Sequence, residues 1–281
     1  MIGQIIKVNS NKFTILSEGK EYRCFVKGAF KTRSLFPVVG DNVEFNKENL
    51  ITKIFERKSY FIRPNVANIT QMVIVVSPVP KPDYLLIDKL ILSARKAGVK
   101  ILILLNKSDI TEDLFEEFKL NYKDDDVSIL MTSVNDKSGL ENFLNALKGE
   151  LSCLCGQSAV GKTSLVNAIL GTNLRVGDLS KIERGKQTTT HSEIHTYNDV
   201  KLLDSPGFAV LDADISLDEL PELYPEYFAL LNNCKFRTCT HVSEPDCAVK
   251  DAVNNGILSK DRYDRYIKIF EEIKSRRKIY E

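Results

Sequence analysis

Two spacings of hydrophobic positions divide this chain. Up to residue 62 the apolar residues fall in short runs, at 3–8, 12–16, 22–26, 42–45 and 51–55, each reading as a strand. Glu18-Gly19-Lys20 and Val39-Gly40-Asp41 separate them with turn chemistry. Five short strands of this kind predict a small antiparallel barrel, of OB type. Beyond Arg63-Pro64 the pattern changes. Residues 71–77 form an unbroken apolar run, as in a strand buried on both faces. Residues 83–98 follow with helical spacing: Leu86, Leu90, Ala94 and Ala97 share a face, and Gly98 sits at the C-cap position.

The alternation continues. Residues 100–105, 127–132, 151–155 and 200–203 read as buried strands, and 140–147 and 161–170 as helices between them. Strands alternating with helices predict a doubly wound α/β sheet. Beyond Asp212 that rhythm stops. A cysteine-rich segment spans 234–247, and 259–281 reads as a polar helix with Tyr263, Ile267, Phe270 and Ile273 on one stripe. The expected division is three domains: 1–62, 63–211 and 212–281.

With 43% hydrophobic and 27% charged residues the chain can bury real cores, which excludes a disordered or collagen-like class. No apolar run approaches the roughly 20 residues that span a bilayer, and the first residues carry no apolar signal core. A cytoplasmic protein without a membrane partner is expected, and a monomer. The six cysteines then point to metal or free thiols rather than disulfides. The net charge of +1 conceals an asymmetry: residues 1–63 hold 12 Lys and Arg against 6 Asp and Glu, and residues 64–259 hold 19 against 27. A basic N-terminal module is suited to a polyanion. The plainer alternative is a solvated surface with scattered lysines.

The chemistry begins at Gly156-Gln157-Ser158-Ala159-Val160-Gly161-Lys162-Thr163, followed by Ser164. This is G-x-x-x-x-G-K-T, placed after an apolar strand and opening a helix, the context the motif requires. The glycines let backbone N–H groups wrap phosphate oxygens at a helix N-terminus. Lys162 is positioned for the β- and γ-phosphates and Thr163 for Mg²⁺. Asn106-Lys107-Ser108-Asp109 ends another strand and matches N-K-x-D, the guanine-specificity motif of GTPases. A carboxylate at Asp109 accepts from guanine N1–H and the N2 amine, and adenine offers no such pair. Asn106 would tie this loop to the phosphate loop, and the Lys107 stem would cover the base. Thr132-Ser133-Val134 is similar to the [ST]-[SC]-A segment that touches guanine, with Val134 in place of Ala. Ser133 reads equally as a residue approaching the next helix.

Asp204-Ser205-Pro206-Gly207 closes an apolar strand and matches D-x-x-G. Asp204 would stand behind Mg²⁺, and the Gly207 N–H would sense the γ-phosphate. One threonine of Thr188, Thr189 and Thr190 would complete the Mg²⁺ shell. Thr189, the middle one, is counted with the nucleotide ligands, although the sequence does not choose. Where Ras-like enzymes place a water-orienting Gln, this chain has Phe208. Gln187, His191, the backbone or a bound partner could place the water instead. The base reader precedes the phosphate loop, which precedes D-x-x-G. This is a circular permutation of the usual order. The chain therefore leaves the nucleotide domain just after the γ-phosphate sensor and enters the cysteine-rich module.

In that module Cys234, Cys239, His241 and Cys247 supply three thiols and one imidazole within a short segment. This donor set suits closed, tetrahedral, structural zinc. Cys24, Cys153 and Cys155 read as buried strand residues.

Taken together, N-K-x-D, G-x-x-x-x-G-K-T, the threonine run, D-S-P-G and C-x4-C-x-H-x5-C behind an N-terminal barrel resemble the RsgA/YjeQ family across essentially the whole chain. The resemblance implies a circularly permuted GTPase with an OB-fold domain and a zinc domain. It implies GTP, GDP and Mg²⁺ as ligands. It also implies binding to the small ribosomal subunit through its rRNA, GTP hydrolysis stimulated by that subunit, and a role in its late maturation. Many members have His where this chain has Gln187. Two other readings stand beside this one. In the first, a GTP-regulated RNA switch, hydrolysis only times release. In the second, a phosphate-loop enzyme acts on a small molecule, for which the chain offers no spare pocket domain with acid and base residues.

Overall fold

The computed structural model describes residues 1–26, 36–122, 126–170, 192–197, 199–204 and 215–280, with backbone alone at 170, 204 and 277–280. Strands β1 (Ile2–Asn9), β2 (Lys12–Ser17), β3 (Lys20–Val26), β4 (Asn42–Phe45) and β5 (Leu50–Ile54) form the barrel. β1, β2 and β3 run as an antiparallel meander, β3 pairs in parallel with β5, and β4 closes the ring by pairing with both β5 and β1. This is the OB-type order. The period-2 alternation of the sequence produces the interior: Ile5, Phe13, Ile15, Cys24, Val43, Phe45 and Ile51 all point inward. The 36–41 turn is held from outside the barrel. Fully buried Asp41 accepts two hydrogen bonds from Arg57, both at 2.8 Å. At Gly40, with φ +92°, a Cβ would lie 1.8 Å from the Ala67 carbonyl, so only glycine fits.

A two-stranded ribbon, β6 (Tyr60–Phe61) with β7 (Val66–Ala67), leads into the α/β unit. The unit comprises β8 (Gln71–Val76), α1 (Tyr84–Ala97), β9 (Lys100–Asn106), α2 (Asp113–Asn121), β10 (Val127–Thr132), α3 (Leu140–Leu147), β11 (Leu151–Cys155), α4 (Lys162–Leu170), β12 (Glu193–Tyr197) and β13 (Val200–Asp204). The strands lie in the order β10-β9-β8-β11-β13-β12, all parallel except β12. β8, buried along its whole length, is central, as its apolar run requires. The chain winds outward from β8 to β10, then returns through α3 to start the other half at β11. The carboxyl ends of β8 and β11 therefore form a topological switch point, where α/β sheets bind ligands.

α1 carries the expected caps. The Asp83 side chain accepts from the Leu86 N–H, and Gly98 is left-handed. Its burial is wider than the one predicted face. Ile87, Leu90, Ile91 and Ala94 pack on the sheet, while Leu92 on the opposite side belongs to the C-terminal core. That core lies among α5 (Pro225–Phe228), α6 (Ala248–Asn254) and α7 (Lys260–Tyr280), around Leu220, Tyr224, Tyr227, Val249, Tyr266 and Ile269. On α7 the most deeply buried positions are Tyr266 and Ile269, beside Phe270 and Ile273. The predicted stripe members Tyr263 and Ile267 are only partly buried. The face is rotated because α7 packs against both the tyrosine cluster and α1.

The sequence showed no link between barrel and sheet. In the fold β12 pairs antiparallel with β1, with Lys7 opposite Glu193, so the barrel and the α/β unit share one eleven-stranded sheet. No helix among the described residues is long and apolar enough to cross a membrane.

Candidate nucleotide and metal sites

Two motif loops meet at the switch point. β9 ends on Asn106, 3% exposed, whose amide donates to the Val160 carbonyl at 2.8 Å. A Cβ at Gly161 would lie 2.3 Å from that same amide nitrogen, so the second motif glycine exists for this contact. The first, Gly156, has φ +127°, and a Cβ there would stand 2.3 Å from the Val75 carbonyl. The tie between the N-K-x-D loop and the G-x-x-x-x-G-K-T loop is thus part of the fold. Lys107 adds to it by donating to Ala159 O at 2.9 Å and to Val79 O. The Lys162 ammonium lies 2.8 Å from Gly156 O and 2.6 Å from Gln157 O, at the mouth of the loop.

Gln157 does something the motif did not announce. Its amide donates to Lys81 O at 3.1 Å and its carbonyl accepts from Asp83 N–H at 2.9 Å. The loop is thereby fastened to the segment that caps α1. Asp109, at the exposed end of the N-K-x-D loop, accepts from the Asn135 amide at 3.0 Å. Hydrogen bonds from Ser133 and then Asn135 hold its carboxyl below the ordinary aspartate value. Ser133 itself is fully buried at the end of β10.

Asp204 ends β13, beside β11, with its backbone paired to Glu193. Its side chain lies outside the described residues, as do Gln187, Thr188, Thr189, Thr190, His191, Gly207 and Phe208. Thr163 and Ser164 open α4, directly after the loop.

In the C-terminal module Cys234, Cys239, His241 and Cys247 place one ligand atom each within 4.8 Å of all the others. His241 Nδ1 is 3.4 Å from Cys247 Sγ and 3.7 Å from Cys234 Sγ. Tetrahedral bonds of about 2.0 Å to nitrogen and 2.3 Å to sulfur put neighbouring donors roughly 3.5–3.8 Å apart, a spacing that these contacts match. Burial pushes the Cys239 thiol up to about 12, with the Cys247 and Cys234 sulfurs adding to it, and burial raises Cys247 as well. Without a cation these groups stay neutral thiols, and a metal ion at their focus would let them ionise. The donor set fits a metal ion, with Nδ1 as the imidazole ligand.

A phosphate-binding motif and a guanine-reading motif at adjoining ends of one parallel sheet, connected in the order β8-β9-β10 before β11-β13, define a circularly permuted GTPase. The chain belongs to the RsgA GTPase family: the model of that family matches residues 54–214, and the model of the RsgA N-terminal domain matches residues 2–51. Among similar proteins are the small ribosomal subunit biogenesis GTPase RsgA of a Geobacillus species, strain WCH70, 38% identical with 99% of each chain covered, and that of Streptococcus pneumoniae serotype 4, 36% identical with 100% of this chain and 97% of that one covered. The crystal structure of YjeQ from Thermotoga maritima matches with a TM-score of 0.82 at 32% identity, over 97% of this chain and 98% of that one. The crystal structure of YloQ, a circularly permuted GTPase, matches with a TM-score of 0.79 at 32% identity, over 98% and 95%.

Proposed function

We propose that this chain binds the small ribosomal subunit and its rRNA, hydrolyses GTP in response to that contact, and so assists late maturation of the subunit. The observation that carries the nucleotide half is the Asn106–Val160 contact, which joins a guanine-reading loop to a phosphate-wrapping loop. The family and the curated relatives' names carry the ribosomal half.

In this reading the N–H groups of residues 156–164 surround the β-phosphate. Lys162 exchanges its two carbonyl contacts for β- and γ-phosphate oxygens as charge develops there. Asp109 reads the guanine edge, Lys107 and Ser108 flank the base, and Ser133 supports the reader. Thr163 and one threonine of Thr188–Thr190 would hold Mg²⁺, with Asp204 standing behind it, and the ion would neutralise phosphate charge. Gly207 reports the γ-phosphate. Cys234, Cys239, His241 and Cys247 hold one structural zinc ion. Domains at 1–62, 63–211 and 212–281 divide the work into RNA contact, nucleotide chemistry and a metal-stapled module.

GTP turnover by the full chain, measured with and without purified small subunits, tests the whole. Subunits should raise the rate at least tenfold, and Lys162→Ala should abolish the rise. Equal turnover in both conditions would leave a GTP-binding switch that the ribosome does not stimulate.

A further inference from the structure

Asp109 is exposed, and a carboxylate on a free stem rotates broadly about its last torsion. Reading two donors on a guanine edge requires a fixed carboxylate plane. The loop after β10 supplies the means. Ser133 Oγ accepts the backbone N–H groups of Asn135 at 3.1 Å and Asp136 at 3.5 Å. The Ser138 carbonyl accepts from Ser133 N–H and from Thr132 Oγ1, both at 3.0 Å, and Asp136 Oδ1 accepts from Ser138 N–H at 2.9 Å. Gly139 then packs so tightly on Met131 that a Cβ would stand 2.0 Å from its carbonyl oxygen. The loop is thus braced at Ser133, Asp136, Ser138 and Gly139. It presents the Asn135 amide to Asp109 Oδ2 at 3.0 Å.

We infer that Asn135 is a specificity-positioning residue, whose amide fixes the plane of the Asp109 carboxylate for bidentate recognition of guanine. This rests on the reading of Asp109 as the base reader. An ionised carboxylate offers about four acceptor sites. Asn135 engages Oδ2 from the protein side, and acceptor capacity is left for N1–H and the N2 amine. Asn135 touches no base itself. It selects guanine by removing the rotations in which only one of those donors is satisfied.

The test is calorimetric titration of the full chain with GDP and with inosine diphosphate, which lacks the N2 amine. Asn135→Ala should weaken GDP by roughly three- to tenfold, the worth of one hydrogen bond, and weaken inosine diphosphate less, so the preference between them shrinks. Asn135→Asp, nearly isosteric, should shrink it further above the pH at which the new carboxyl ionises, because the donor becomes a second negative charge beside Asp109. A preference unchanged in both variants, or equal losses for both nucleotides, would overturn the positioning role. Asp109→Asn is the separate control. If it left GDP affinity unchanged, the base-reader assignment would fall and this inference with it. If it weakened GDP while the Asn135 variants kept the parental preference, only the positioning role would fall.

Discussion

The barrel meets the α/β unit through strand pairing backed by apolar packing of Ile6, Val8, Leu16 and Val39 on the sheet core, whereas the cysteine-rich module adds buried charge to the apolar contact that Leu92 makes with its core. At the first joint β1 adds to β12, and the side chains contribute a Lys7–Glu193 ion pair at 2.5 Å, both about one-third exposed, and a Lys201–Gln4 hydrogen bond at 3.1 Å. At the second, Asp88 of α1, 2% exposed, accepts from Arg265 of α7 and from Tyr122 at 2.8 Å. Arg262 donates to Asn121 O at 2.6 Å, pairs with Glu226 at 3.0 Å and stacks over Tyr122 and Tyr224. Around this centre Lys89 pairs with Glu272, and Arg95 donates to Leu223 O. Backbone pairing tolerates side-chain change. Buried charge does not, because removing one partner strands the other in a low-dielectric site.

The largest effect should come from the zinc ion proposed to staple the cysteine-rich module. Cys239→Ser, or chelation of the wild-type chain, should unfold the cysteine-rich module and spare both the barrel and GDP binding. About one equivalent of zinc should be lost with it. Hydrogen exchange over residues 215–280, read against residues 1–54, distinguishes the two regions. Protection lost equally in the barrel would mean that the joints are not independent.

Next in size is Asp88→Ala, which should destabilise the module by about 3–5 kcal/mol, since Arg265 is left buried beside Arg262. The double variant Asp88→Ala with Arg265→Ala should cost clearly less than the sum of the single changes. Urea melts followed by tyrosine fluorescence can measure both. Additive losses would mean that the pair does not couple the two elements.

The smallest effect should be Lys7→Ala, within roughly 1 kcal/mol and weaker still at high salt, because both partners reach solvent. A loss of several kcal/mol would overturn the view of this joint as held by strand pairing and apolar packing, and would make Glu193, between Lys7 and Asp204 in register, a structural keystone.

The joints also mark what could be read from residues in order. Gly98 as a C-cap, the buried run at residues 71–76 and the permuted motif order are local signals, and each appears in the fold where its chemistry requires it. α2 and β12 went unread. α2 does carry a helical stripe, Leu114, Phe115 and Phe118, that packs on the sheet core, but it is nine residues long and its N-cap residue makes no side-chain cap. β12 has a single buried residue, Ile194. β12 offers too little apolar periodicity to stand out from a loop, and α2 is too short for its stripe to be marked by caps. Asn135 and Gln157 carried no signal of their own, since an amide declares its role only when its partner is known.

The sequence by itself determined the pieces: a barrel from alternation, a parallel sheet from continuous apolar strands, two nucleotide motifs from spacing, and a cluster of metal-compatible donors from three cysteines and a histidine. Each depends on residues close together in the chain, where backbone geometry fixes what neighbours can do. Only the tertiary structure decided how the pieces join. The edge of β12 accepts β1, α1 is covered on both sides, and Asn135 meets Asp109 across two loops. These contacts link residues far apart in sequence, with Lys7 and Glu193 separated by 186 positions and Asp88 and Arg265 by 177. Such partners are chosen by packing and by the cost of leaving a buried polar group unpaired, and no local pattern records either.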